Sequence, residues 1–221
     1  MSEAARGPDV APGGPRLADA TWPEFAARGL GPRTLLVPLG ATEQHGPHLP
    51  LGTDTAIAVA LAAATAERVA GAVVAPALAY GSSGEHQDFA GPLSIGAAAT
   101  EPVLVELGPS ATETFDRVIF VNGHGGNPAP LAAAVRRLRD EGREVRAWSP
   151  PFGGDAHAGH TETSVMLELL PQRVHDDLAV VGNDEPLDEL IDRLREEGVR
   201  ALSPNGILGD PTGASAVAGG E

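Results

Sequence analysis

Short apolar runs alternate along the chain with longer Ala-rich or amphipathic stretches. Leu35-Leu36-Val37, continuing through Pro38 to Leu39 and ending at Gly40, has the pattern of a buried strand stopped by a turn signal. Ala72–Ala75 and Glu144–Trp148 are further strand candidates. Arg117–Val121, RVIFV, is the clearest of all, β-branched and apolar throughout. Helical spacing is expected over Thr55–Ala70, closed by Gly71, and over Pro128–Glu141, opened by a proline at the first position and stopped by Gly142. Ser164–Leu170 and Leu187–Glu197 also carry it, as does Thr100–Thr114 with an interruption at Gly108-Pro109. Thr21-Trp22-Pro23-Glu24 has the form of a capping box and predicts a short helix to about Arg28. Strands alternating with helices at this short spacing predict an α/β fold with a mostly parallel sheet and helices on both faces.

The Gly/Pro-rich residues 1–16 are expected to form a disordered tail, and the Gly/Pro/Ser-rich residues 203–221 a second one, leaving 17–202 as the folded domain. At 221 residues the chain is long enough for one sizeable core. A formal charge of −15 argues against nucleic acid and anionic membrane as partners. The absence of cysteine excludes disulfides, thiolate metal sites and a cysteine nucleophile. With no apolar segment of signal-peptide or membrane-spanning character, a cytoplasmic protein is expected.

The chemistry concentrates in the loops that follow the strands. Beyond Gly40 come Glu43, His45, His48 and Asp54, with Asp54 placed where a helix N-cap is expected. The loop Tyr80–Gly91 carries Glu85 and His86. Asn122-Gly123-His124-Gly125-Gly126-Asn127 follows the third strand. Phe152–Thr163 carries His157, His160 and Glu162. In a parallel sheet these loops share one edge, so their side chains can converge without being close in sequence. The mixed oxygen and nitrogen set Glu43, His45, Asp54, His124 and Glu162 suits zinc, manganese or ferrous iron better than calcium, and Asp54 could bridge two ions. Divalent ions lower the pKa of water from about 15.7 to about 7. His157 is the candidate proton donor to a leaving group. A serine hydrolase is disfavoured because no Gly-x-Ser-x-Gly elbow accompanies the Gly-His-Gly-Gly run, and no nucleotide-binding loop is present.

The segments EQHGPHLPLGTD (Glu43–Asp54), NGHGGN (Asn122–Asn127) and HAGHTETS (His157–Ser164) resemble the creatininase family of metal-dependent amidohydrolases over about Leu17–Gly213. The resemblance implies a three-layer αβα sandwich with two divalent ions, Fe2+ and/or Zn2+ with Mn2+ as another option, at the carboxyl edge of the sheet. It also implies a homo-oligomer. By the same resemblance Glu43 and His124 hold one ion, His45 the other, Asp54 bridges them, Glu162 completes the second site and His157 donates a proton. Creatininase itself carries a Glu where this chain has Gly126, and Glu162 is the nearest replacement that the sequence offers. The HGGN form, the GSSGEHQDF loop and the LADATWPEF opening are most similar to the peptidase branch of the family that acts in mycofactocin biosynthesis. That likeness implies a modified precursor peptide as substrate, with hydrolysis near its C-terminus that releases a Val-Tyr dipeptide. The alternatives are a small cyclic-amide or formamide amidohydrolase, and a non-catalytic binding module in which ions only staple the loops.

Overall fold

The computed structural model describes residues 14–23, 33–151 and 154–220. Four parallel strands, β1 (Thr34–Leu39), β2 (Ala72–Val74), β3 (Arg117–Asn122) and β4 (Val145–Trp148), form a sheet in the order β2-β1-β3-β4. The helices of the three layers are α1 (Thr53–Arg68), α2 (Ala97–Thr112), α3 (Pro128–Asp140) and α4 (His160–Leu169). Beyond them come α5 (Leu187–Glu197), α6 (Val199–Leu202) and α7 (Ala216–Gly219).

Alternation along β1 divides the core. Leu35, Val37 and Leu39 point to one face, where they pack with Phe120, Leu104, Leu131 and Leu138 beneath α2 and α3. Leu36 points to the other and meets Val74, Val121 and the small residues Ala62 and Ala66 of α1. The Ala-rich α1 therefore lies close against the sheet, with α4 packed beside it. The expected α/β sandwich is the fold observed.

Four local expectations are corrected. Asp54 is not an N-cap: α1 begins two residues earlier than expected, Gly52 is its cap, and Asp54 sits inside the first turn with its side chain buried. The Gly108-Pro109 pair does not break α2. Gly108 faces Leu138 of α3 where a Cβ would collide, so the glycine lets the two helices approach, and Thr112 Oγ1 donates to the Gly108 carbonyl oxygen. Helix α4 starts at His160 rather than Ser164, because Asp155 accepts the backbone N–H groups of His160 and Thr161.

The segment from Ser203, expected to be poorly ordered, is packed: Ser203, Ile207 and Leu208 are buried, and α7 lies on α4. Of the N-terminal tail, residues 1–13 lie outside the described residues. Pro15 and Arg16 run beside β2, where Pro15 accepts the Val74 N–H at 2.9 Å. The short helix expected to Arg28 lies outside the described residues beyond Pro23, as do Phe152 and Gly153.

Candidate metal centre and active site

The chain leaves β1 toward β2 on one side and returns to β3 on the other, so the order reverses between the carboxyl ends of β1 and β3. A crevice opens at such a reversal. Leu39 and Asn122 are paired at its floor. The segment just after β1 carries Glu43 and His45, and the segment just after β3 carries His124. Gly123 lies against the Asp54 carbonyl oxygen, where a Cβ would collide, and this contact brings the first turn of α1 into the crevice. Asn127 fastens the loops together: its Nδ2 donates to the Gly40 carbonyl at 3.1 Å and to Asn122 Oδ1 at 3.1 Å, and its Oδ1 accepts the Ser82 N–H at 3.0 Å.

Glu43, His45, Asp54 and His124 are all buried. His45 Nε2 lies 3.0 Å from Asp54 Oδ1 and 3.8 Å from Glu162 Oε2. His124 Nδ1 lies 3.1 Å from Asp54 Oδ2 and 3.3 Å from Glu43 Oε1. Two groups of potential ligands follow, Glu43–Asp54–His124 and His45–Asp54–Glu162, each with donor atoms within 4.8 Å of one another and sharing Asp54. A third, Glu43–His45–His157, overlaps both. Both oxygens of Glu43 and Oδ2 of Asp54 are buried without a hydrogen bond. Buried carboxylate oxygens are costly to leave unmatched, and a divalent cation in each group would match them. The residues present fit two ions.

Electrostatics carries the same signature. Burial alone would lower the pKa of His45, but Asp54, Glu162 and Glu43 overcome it and raise it to about 10. Burial likewise opposes protonation of His124, and Glu43 and Asp54 again prevail, holding it well above the usual histidine value. Against its own burial, Asp54 is held well below the ordinary carboxylate range by His45 and His124. Without ions, protons on two imidazoles supply the positive charge that the carboxylates demand. Glu162 differs. Burial pushes its pKa up to about 7 despite His45 nearby, and its Oε2 accepts the Ala158 N–H at 2.6 Å.

His157 stands over this cluster, its ring 4.4 Å from that of His45 and 4.6 Å from that of His86. Its Nε2 lies 2.8 Å from the Gln44 carbonyl oxygen. A carbonyl only accepts, so Nε2 carries the proton and Nδ1 is bare, 3.8 Å from Glu43 Oε1. Burial, then His45 and His86, hold its pKa well below the usual value, so the ring is neutral. The loop is held by the segment expected to be a tail: His157 and Leu208 exchange backbone hydrogen bonds at 3.1 and 2.8 Å. Ala158 adopts φ 54°, a left-handed conformation that aims its N–H at Glu162.

Of the six loop histidines, the structure gathers His45, His86, His124 and His157. His48 is turned away and bonds Thr163 Oγ1 at 2.9 Å, and His160 is exposed. Gln44 and His86 have roles here that no local sequence pattern specifies. The Gln44 amide donates to His86 Nδ1 at 2.9 Å and to the Gly206 carbonyl at 3.0 Å. This leaves the His86 Nε2–H facing Glu43 Oε1 at 3.3 Å. Such outer partners orient metal ligands. The only local signal was the position of Gln44 between two ligand candidates. Gly126 lines the cavity wall: a Cβ there would collide with the Ser82 carbonyl and come within 2.8 Å of Glu85 Oε1. The carboxylate of Glu162 lies near His45 and Asp54, with which it forms one group of potential ligands.

Residues 18–221 match the family model described as creatininase, creatinine amidohydrolase. The chain belongs to the creatininase family. It is a hydrolase of that family, α/β in fold, and its curated relatives include peptidases. It is 53% identical over 210 residues to the mycofactocin precursor peptide peptidase of Mycobacterium ulcerans (strain Agy99), covering 90% of this chain and 80% of that protein. With the protein of the same description from Mycolicibacterium smegmatis (strain ATCC 700084 / mc(2)155) it shares 56% over 192 residues, 84% of this chain and 77% of the other. The creatinine amidohydrolase of Pseudomonas putida is 32% identical over 196 residues, 74% of this chain and 75% of that one. Among solved structures, creatinine amidohydrolase (creatininase) superposes with TM-score 0.77 at 28% identity, over 92% of this chain and 90% of that one. A manganese form of creatininase gives 0.75 at 27% identity over 94% and 92%. A Zn-Zn form of a creatininase mutant gives 0.76 at 28% over 92% and 90%.

Proposed function

We propose that the chain is the metal-dependent peptidase that removes the C-terminal Val-Tyr dipeptide from the modified mycofactocin precursor peptide. The observation that carries the reading is the pair of buried ligand groups sharing Asp54, in a chain more than half identical to proteins described as that peptidase. A cavity of about 630 Å³ opens over the groups, a volume suited to a peptide end and generous for a small cyclic amide.

Glu43, Asp54 and His124 would hold one divalent ion, and His45, Asp54 and Glu162 would hold the other. When bound, zinc or ferrous ions, or manganese, supply Lewis-acid polarisation of the scissile carbonyl and acidify water near neutral pH. The neutral Nδ1 of His157 accepts the proton of the attacking water and returns it to the amine of the departing dipeptide. Gln44 holds the ring for this through its backbone carbonyl. Glu162, with its raised pKa, is the second group able to exchange a proton here. The protein acts in the cytoplasm on a soluble peptide, and no helix among the described residues is long and apolar enough to cross a membrane. A homo-oligomer is expected, which light scattering would test.

The deciding experiment is mass spectrometry of the modified precursor peptide after incubation with the protein, with and without chelator, and with zinc or ferrous iron restored. Chelator-sensitive loss of the dipeptide is the expected result. An intact peptide under every metal would retire the peptidase reading and return attention to cyclic amides and formamides.

A further inference from the structure

The cavity lining is of two kinds. Its floor carries the carboxylates of Glu43, Asp54, Glu85 and Glu162. Another part of its wall is one face of α5, where Leu187 and Ile191 stand four residues apart and Leu194 lies beside them. The next residue on that row is Arg195, the only arginine among the residues that line the cavity. The chain has no lysine, so among the described residues no other permanent cation lines it.

The arginines around α5 are otherwise engaged. Arg193 faces Glu197 at 3.4 Å and Glu185 at 3.6 Å. Arg200 donates to the Asp88 carbonyl oxygen at 2.7 Å and lies over the Phe89 ring. Arg195 approaches only Asp192, at 3.7 Å, with both side chains largely in water. An exposed pair of that length contributes little. A guanidinium at the end of an apolar row, in a chain of net charge −15, is a binding group without a structural task.

We propose that Arg195 binds the terminal carboxylate of the peptide substrate, and that Leu187, Ile191 and Leu194 form the apolar wall against which the last two side chains lie. The proposal rests on the peptidase reading above and deepens it: Arg195 is what makes the site select a chain end. A free carboxylate is attracted by the guanidinium, whereas the carboxylates of the floor are matched by the ions that the peptidase reading places there. Two residues beyond the scissile bond extend about 7 Å, which separates the terminal carboxylate from the reacting carbonyl. The guanidinium fork takes a carboxylate through paired N–H donors. Apolar side chains of a leaving dipeptide, valine and tyrosine among them, lose water against the α5 row.

The test compares kcat/KM for the precursor peptide with its free C-terminal carboxylate and for the same peptide ending in a primary amide. The wild-type protein is expected to favour the acid by about tenfold to hundredfold, the range for a hydrogen bond to a charged group. In Arg195→Ala the ratio falls toward one, and in Arg195→Glu it inverts. Arg195 is exposed on a helix surface, so both variants should fold, and an unchanged melting temperature verifies it. Equal use of acid and amide by the wild type, or a wild-type ratio in either variant, overturns the proposal while leaving the peptidase reading in place. Failure of the wild type to release a dipeptide from either peptide overturns that reading and this proposal with it.

Discussion

Asp54 is the residue on which most of the site's electrostatics turns. It contacts both raised-pKa imidazoles, His45 and His124, and belongs to both ligand groups. Asp54→Ala is therefore expected to abolish peptide hydrolysis, by at least about 10³-fold, since on the two-ion reading proposed above it removes a shared ligand rather than one of several. Circular dichroism would establish that the variant is folded, and full activity in a folded variant would remove the two-ion reading. His157→Gln tests a separate role. It keeps an N–H donor for the Gln44 carbonyl but has no bare ring nitrogen, so kcat should fall by about 10²–10⁴ with metal content unchanged by elemental analysis. Loss of metal instead would make His157 a ligand, as the overlapping Glu43–His45–His157 group allows. Protons and ions also compete directly. His45, with a pKa near 10, must lose its proton to bind a divalent ion. Affinity measured by calorimetric titration should then rise with pH from 6.5 to 8.5, by about tenfold per unit for each proton displaced. A flat profile would show that the imidazoles do not ligate.

At the scale of elements, the strand–loop–helix units could be read from the chain because their signals are local. The apolar run of β1, the β-branched run of β3 and the proline opening α3 each act within a few residues. The histidine-bearing turns could likewise be read as one site, since a parallel sheet carries its strand ends to one edge. What could not be read depends on contacts distant in sequence. Gln44 acquires its role only when residues 206 and 157 arrive beside it. The Ser203–Leu208 segment looks like a tail by composition, yet its backbone closes the His157 loop and Ile207 is fully buried. No local pattern in a Gly/Pro-rich stretch announces a partner some fifty residues upstream. This segment should accordingly be structural in a measurable way. Ile207→Ala is expected to destabilise the protein by about 2–5 kcal/mol, the range for emptying a buried aliphatic site, as read by urea denaturation. A change within about 0.5 kcal/mol, the level of an ordinary surface substitution, would restore the tail interpretation.

For the whole molecule, the ions are expected to act on stability as well as on chemistry, and pH separates the two states. A ligand that binds only the folded chain stabilises it by about 4 kcal/mol at a thousand times its dissociation constant. Metal-free protein prepared by dialysis should therefore melt below the loaded form. The difference should also depend on pH. In the metal-free fold His45 has its pKa raised from 6.5 to about 10. The folded state then binds a proton that the unfolded chain has released, and stability falls as pH rises through that interval. Below about pH 6.5 both states hold the proton and this contribution is complete; by about pH 10 it is gone. His124 acts in the same direction. In the loaded form the ions replace those protons, so the loss does not occur. The gap in melting temperature between loaded and metal-free protein should widen from pH 6.5 to pH 9, and in His45→Gln the metal-free curve should lose much of its slope. A gap of constant size across that range would mean that the buried carboxylates are matched by something other than protons when the ions are gone. The same melts, run beside the peptide assay, distinguish an enzyme from a scaffold stapled by its ions. The scaffold would lose stability on dialysis with no hydrolysis to lose, whereas here both should fall together and return together when metal is restored.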